Sequence, residues 1–590
     1  MTDFRPFRNW RDGLLCLIVI LVIGVPRSLA LDRYVTADES KWLTRAGTFY
    51  WALAHGNLAA TFVREHPGVT IMWAGMLVYL RDYPGYPEDA PGSIRDSRNE
   101  IILRQHGYSP IQMLAAGRLI VVLLITLVLA IAFWLTVRLV GRWPAALGFL
   151  LIGFDPFHLG LTRLLHPDGL MSNLMLLSLL AFLAFLASRR RSDLLISSVA
   201  AGLAWLTKSP AFFLAPFVGL LVAIVLAWRG LNRLPRLRAF FSFLIPLLRD
   251  KQVFGFRWAF SSLVIWSLVG WLVFFLLWPA MWVNPLSSLR GVLSQAETYA
   301  DEGHSTAIFF NGQALMGNPG KRFYPINYLW RTTPVVLVGL GLAGLGFFLL
   351  RNDASQSASR WTAAALVLFA AAFIIFMTIG SKKFDRYILP IFAPLDLVAG
   401  IGWAMAARWL AARLASLWKP GRLANDARAR PDWLAVSLSL VFLVLPVAGQ
   451  GLYSLPTYPY FLSYYDPWMG GSAKAPQVMM IGWGEGIDQA ARYLDAKPNS
   501  ADLKVMSWYP EGSFSYFFDG ETIFTHPEWK ETQKILLTTD YVVVYIHQWQ
   551  RDLPFPKMLK YLSKLKPEHV IVVNGIEYVQ IYKIPKDAKP

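Results

Sequence analysis

One cysteine, Cys16, is present in 590 residues. It lies inside an apolar run, so no intrachain disulfide can form and cysteine usage gives no information about redox compartment. Charge is scarce as well: 16% of residues are charged, against about 25% in an average soluble chain. Hydrophobic residues make up 55% and mean hydropathy is +0.41, a balance that describes a membrane protein rather than a soluble one. Several catalytic signatures are missing. No Gly-x-Ser-x-Gly elbow, P-loop, H-E-x-x-H or clustered Cys/His pattern occurs, which removes the usual signals of serine hydrolases, cytoplasmic nucleotide triphosphatases and zinc sites. Short-period repeats and long low-complexity segments are also lacking.

What the chain does have is long apolar runs. A helix needs roughly 18 or more apolar residues to cross a bilayer, and with the N-terminus inside, eleven segments read as spans: 12–30, 114–137, 144–161, 169–188, 193–207, 211–228, 258–280, 333–350, 361–379, 388–407 and 433–450. The charges test that alternation. Arg138 and Arg142, Arg189 to Arg191, the basic loop 229–257, Arg351 and Arg360, and the stretch 408–430 all fall on the inner side, as the positive-inside bias requires. The net charge of +18 is therefore read as cytoplasmic loops facing anionic lipid, not as a nucleic-acid surface. Arg5, Arg8 and Arg11 ahead of the first run also suit a signal peptide, but the run is long for one and reads as an uncleaved anchor. The expected location is the inner or plasma membrane, multi-pass.

The opposite, extracytoplasmic side receives 31–113, the turn 162–168, the long loop 281–332 and everything after 450. Residues 39–53 and 70–80 read as interfacial helices, and 83–109, rich in Pro, Gly and charge, as loop. Residues 1–450 form the expected membrane domain. Residues 451–590 turn soluble: 477–483, 503–508, 541–547 and 569–573 read as strands, 487–494 and 556–565 as helices, an alternation that predicts a small extracytoplasmic α/β domain. The expected fold class is a polytopic α-helical membrane protein with that domain at its C-terminus. Gly482-Trp483-Gly484-Glu485-Gly486 lacks the full spacing of a dinucleotide loop and reads as a structural turn.

Polar islands on the outer side carry the chemistry. Asp38 and Glu39 follow the first span, and Asp168 in Leu-His166-Pro-Asp-Gly169 opens another. Each suits a helix N-cap. Brought to one membrane face, two acids can instead divide labour, one taking a proton from an acceptor hydroxyl, the other positioning it or holding a divalent cation such as Mg or Mn. Basic residues outside run against the topology bias, and here they are Lys208, Lys382, Lys383, Arg386, Lys321 and Arg322. Snorkelling to headgroups accounts for some; an interfacial lipid-linked phosphate, which needs fixed cations as its charge develops, accounts for the rest. His66 and His304 lie on the same side.

In order and sidedness these motifs resemble the GT-C glycosyltransferases: an acidic pair in the first outer loop, an acid in the second, and Arg386-Tyr387 ahead of Leu389-Pro390. The most similar branch is the protein O-mannosyltransferase and aminoarabinose-transferase group of glycosyltransferase family 39 type, over roughly 10–450. The resemblance implies a polyprenyl-phosphate sugar donor and no nucleotide. It implies Asp38 as base with Glu39 beside it, Asp168 as the second acid, and Arg386 and Tyr387 facing phosphate. Where aminoarabinose relatives carry Lys-Pro-Pro, this chain has His66-Pro67-Gly68, so either His66 or another cation must replace that lysine. The implied acceptor is a protein, glycan or lipid. Block transfer of an oligosaccharide, a transporter or flippase of lipid-linked sugars, and a non-catalytic scaffold are the rival classes.

Overall fold

The structure is a computed structural model, and it describes residues 10–64, 67–231, 255–349, 357–417 and 433–585. His66 and most of the two long basic loops lie outside those residues. All eleven apolar segments contain helix. Among the described residues, six helices are long and apolar enough to cross a membrane: Pro110–Val140, Pro167–Ser188, Ser209–Ala227, Phe256–Leu276, Ser357–Ile379 and Asp385–Arg413. A seventh is formed if Phe323–Arg331 and Pro334–Phe348, bent by 110° at their break, count as one. The segment expected at 144–161 is broken at Asp155 into Arg142–Phe154 and Pro156–Leu161, because Asp155 caps the second helix by accepting the His158 N–H at 2.6 Å.

Helix Pro167–Ser188 is the centre of the bundle, buried from Pro167 through Leu186. It turns at Arg189, in the left-handed region at φ 57°, and packs back to back with Arg191–Thr207. Close approach elsewhere depends on glycine, as is usual where helices associate by packing alone. A Cβ at Gly400 would run into the Gly148 backbone, and one at Gly402 into Gly339. Those contacts draw Arg142–Phe154 and Pro334–Leu349 onto helix Leu389–Leu417, whose N-terminal end delivers the Ser381–Tyr387 turn.

The first loop folds as expected into helices Glu39–Ala54 and Val69–Asp82. The stretch read as loop contains a helix, Asp96–Gln105. Its polar sequence is docked by buried Asn99, which accepts from the Tyr86 hydroxyl at 2.8 Å and donates to the Tyr79 oxygen at 3.2 Å. The long loop contributes helix Pro285–Asp301 and a hairpin of β1 (Ile308–Phe310) and β2 (Gln313–Leu315).

The C-terminal region carries a mixed sheet of β3 (Lys504–Ser507), β4 (Glu521–Ile523), β5 (Tyr541–Tyr545), β6 (His569–Val573) and β7 (Ile576–Lys583), in the order β4-β3-β5-β7-β6. β3 runs parallel to β4 and β5, and β7 antiparallel to β5 and β6. The expected strand at 477–483 is not one. Helix Gly471–Val478 ends there, and Met479 forms a single bridge with Phe310 of β1. This bridge and the turn after it tie the sheet region to the bundle.

Candidate active site

Asp38 stands at the start of helix Glu39–Ala54 but does not cap it by its side chain. Its carboxylate is free for tertiary partners. Oδ1 lies 3.3 Å from Lys41 Nζ, one helical turn on, while Oδ2 lies 3.3 Å from an Arg386 Nη and 4.0 Å from His166 Nε2. Asp168 sits directly behind. His166, not Asp168, caps helix Pro167–Ser188, which leaves the Asp168 carboxylate to Lys208 at 2.5 Å, His166 Nδ1 at 3.4 Å and Arg386 Nε at 3.5 Å. Arg386 therefore bridges two acids, with its guanidinium 4.4 Å from the rings of both Phe384 and Trp483. Lys208 Nζ lies 4.6 Å over Tyr387. The turn carrying Lys208 is fixed by Gly68 N–H donating to the Thr207 carbonyl at 3.1 Å and by the Thr70–Thr207 hydroxyl pair at 2.8 Å.

The two acids differ in access. Asp38 keeps 29% of its side chain exposed, and Asp168 keeps 1%. Burial alone would raise the Asp38 carboxyl; Arg386 above all, then Lys41 and His166, outweigh it and hold the group below the ordinary carboxylate range. Burial pushes the His166 imidazole down to about 4, the nearby acids only partly opposing, so it is neutral at physiological pH.

The remaining expected residues divide. Glu39 is adjacent in sequence yet turned away. It is fully buried and saturated by Arg118, by the Thr36 N–H and hydroxyl at 3.0 and 2.9 Å, and by the Leu165 N–H at 2.9 Å. That arrangement makes it a structural tie between the first loop and helix Pro110–Val140. Lys383 also leaves the cluster: its ammonium donates to Asn318 and the Gly380 carbonyl at 2.8 and 2.7 Å, and its backbone bonds His304 Nε2. Lys382 lies 3.9 Å over the Tyr299 ring, with burial and Arg386 lowering its pKa. Lys321 and Arg322 are exposed and make no ion pair with Asp38 or Asp168.

A divalent ion does not suit this donor set. Glu39 has no free lone pair toward the cluster, Asp38 and Asp168 each already face cations although His166 lies between them, and among the described residues no group of three His, Cys, Asp or Glu is arranged to hold a metal ion.

Asp38 and Arg386 open into a cavity of about 380 Å³. Its walls include Lys41, Arg331, Tyr509, His547 and Arg551, which the sequence reading did not single out, and Trp483 and Glu485, which it read only as part of a structural turn. Lys41 had a local signal in its i+3 spacing from Asp38, and His166 in its place two residues before Asp168. Arg331 ends helix Phe323–Arg331 of the bundle, and the others come from the C-terminal region and are brought in with the 482–486 turn. There the Ala37 N–H donates to the Trp483 carbonyl at 3.1 Å, and the Gly484 N–H to the Tyr545 hydroxyl at 3.0 Å. Gly482, Gly484 and Gly486 all have positive φ, and a Cβ on Gly484 would meet the Val35 carbonyl, so the glycines serve close backbone approach rather than a phosphate.

In overall shape the chain resembles ArnT from Cupriavidus metallidurans bound to undecaprenyl phosphate, at 14% identity and a TM-score of 0.45 over 97% of this chain and 98% of that one. It also resembles AglB, the archaeal oligosaccharyltransferase of Archaeoglobus fulgidus in complex with an inhibitory peptide and a dolichol-phosphate, at 11% identity and a TM-score of 0.47 over 98% and 75%. No curated protein sequence matches the chain. Residues 113–248 match the family described as dolichyl-phosphate-mannose-protein mannosyltransferase. That stretch supplies Arg118, His166, Asp168 and Lys208, four of the residues that the structure places in or next to the acid–guanidinium cluster.

Proposed function

We propose that the chain moves one sugar from a polyprenyl phosphate to an acceptor on the extracytoplasmic face, with inversion at the anomeric carbon. One observation carries the reading: a half-open carboxylate, Asp38, shares a single guanidinium with a sealed one, Asp168, at the mouth of a cavity. In this scheme the acceptor hydroxyl attacks the anomeric carbon and gives its proton to Asp38. The bond from that carbon to the phosphate oxygen breaks with its electron pair, and the departing polyprenyl phosphate is met by Arg386, with Lys41 on the same cavity wall and Lys382 close enough to feel the Arg386 and Asp38 charges. Asp168, tied to Lys208, holds Arg386 in place instead of reacting. The apolar helices would carry the isoprenoid, and the donor bond itself would supply the driving force, so no nucleotide is needed. Residues 1–450 act as the membrane catalytic part and 451–590 as an outer region that closes the cavity.

The test is transfer from a synthetic undecaprenyl-phosphate sugar by purified protein. Asp38→Asn is expected to lower turnover by about two orders of magnitude or more while the protein stays folded. Transfer at the unmodified rate would remove Asp38 as base. A second reading, passage of lipid-linked sugar through the bundle, is favoured by Asp155 and Asp396, both buried among the helices with unpartnered oxygens, since intramembrane acids commonly mark transport paths. Isotope flux in proteoliposomes without a new glycosidic bond would favour it.

A further inference from the structure

The cavity has a wall made by the sheet region, and Arg551 on that wall is not ion-paired. Cations on the bundle side have acids: Lys41 and Arg386 share Asp38, and Arg331 grips Asp385 through two N–H groups at 3.0 and 2.7 Å. Arg551, at the end of helix Ile546–Arg551, has no acidic partner among the described residues. Its Nε donates to the His547 carbonyl at 3.2 Å and one Nη to the Ala307 carbonyl at 3.1 Å, both neutral. Glu485, the remaining acid of the cavity, does not pair with it: Oε2 accepts from the Trp483 N–H at 2.6 Å and the Tyr545 hydroxyl at 3.2 Å, and Oε1 has no partner. Burial accordingly pushes the Arg551 guanidinium below its usual range, with Tyr509 only partly opposing.

A second observation lies one turn away. His547 is 1% exposed, and neither ring nitrogen has a partner. Three aromatic rings hold the imidazole edge-on, those of Trp508, Tyr509 and Tyr545 at 5.6, 5.3 and 4.9 Å. A buried polar group of this kind costs stability unless something bonds it. An unmatched guanidinium and an unspent imidazole thus line the same cavity as the proposed base.

We propose that Arg551, with His547 and Tyr509 beside it, reads a carboxylate on the sugar ring that occupies this end of the cavity, so that the enzyme works on an acidic saccharide. The inference rests on the transferase reading above. A planar guanidinium matches a carboxylate through parallel N–H bonds, and one unmatched positive charge balances one carboxylate. A phosphate monoester, with up to two charges, would call for a second free cation on this wall. Arg386 remains for the donor phosphate, which separates the two anion sites by role.

The experiment uses the full chain in nanodiscs saturated with undecaprenyl phosphate, so that Arg386 is already occupied. Affinities for glucuronate, glucose and glucose 6-phosphate are measured by titration with saturation-transfer NMR. Glucuronate is expected to bind about tenfold or more tighter than glucose, a difference of about 1.4 kcal/mol. Arg551→Gln should erase the preference and Arg551→Lys restore part of it, with undecaprenyl-phosphate binding unchanged in both. Equal affinity for glucuronate and glucose, a preference that survives Arg551→Gln, or stronger binding of glucose 6-phosphate than glucuronate would each overturn the proposal. Undecaprenyl-phosphate binding also reports whether Arg551→Gln is folded; if it is not, Arg551→Lys carries the test, and a preference left whole in that variant counts against the role. Failure of the protein itself to bind undecaprenyl phosphate would instead strike the transferase reading.

Discussion

Asp38 and Glu39 are neighbours in the chain with opposite fates, and the difference is a matter of which cation each meets. Asp38 shares Arg386 and Lys41 at the edge of open space, while Glu39 is sealed against Arg118. Removing one member of a buried ion pair leaves the other charge uncompensated, at a cost of about 3–5 kcal/mol. Glu39→Gln is therefore expected to lower the thermal unfolding temperature sharply, whereas Asp38→Asn leaves it near that of the unmodified protein. A stable but inactive Glu39→Gln would return Glu39 to the chemistry. Arg386→Ala is expected to weaken undecaprenyl-phosphate binding by tenfold or more, about 1.4 kcal/mol, and to leave acceptor affinity nearly unchanged. Isothermal titration of the two ligands separately checks this, and equal donor affinity in the variant would remove the phosphate role.

Among the elements, the turn 482–486 decides whether the cavity has a second wall. Gly484 has φ +125° and no room for a Cβ against the first loop. Gly484→Val is expected to displace Trp483 from Arg386 and cut transfer by about tenfold or more while helix content stays the same; circular dichroism and a transfer assay read the two effects, and full activity would mean that the wall is dispensable. The bundle was readable from sequence because apolar runs and the arginines between them report insertion directly. Asp38, Asp168, Lys208 and Arg386 were readable because polar residues at the ends of spans stand out from their surroundings. His547 and Arg551 were not: nothing local marks them, and they reach the site through the fold of the sheet region, while Trp483 sits in a glycine turn visible in the sequence whose docking on the Ala37 N–H is not. The strand Ile576–Lys583 did have a signal that went unread, the Asn574-Gly575 pair with φ of 48° and 79° that turns β6 into β7.

At the scale of the whole molecule, His304 links the long loop to the turn that carries Arg386, through its Nε2 contact with Lys383. Burial pushes its pKa from 6.5 to about 4, with the Lys383 backbone opposing and Lys382, Arg551 and Arg386 adding to it. Between pH 6.5 and about 4 the unfolded chain takes up a proton at this site that the folded chain does not, so stability falls as pH falls through that window. His304→Gln cannot take up that proton in either state. The difference in melting temperature between unmodified protein and variant, followed by scanning fluorimetry, is expected to shrink from pH 7 to pH 4; a constant difference would mean that His304 titrates normally. The position of Trp483 and Arg551 behind every apolar helix in chain order has a consequence for biosynthesis. Asp38 and Arg386 are synthesised before the opposing wall of Trp483 and Arg551 exists, so on the proposed transferase reading a half-made copy lacks an enclosed chamber and can spend no donor lipid until its final segment has folded back onto the first loop.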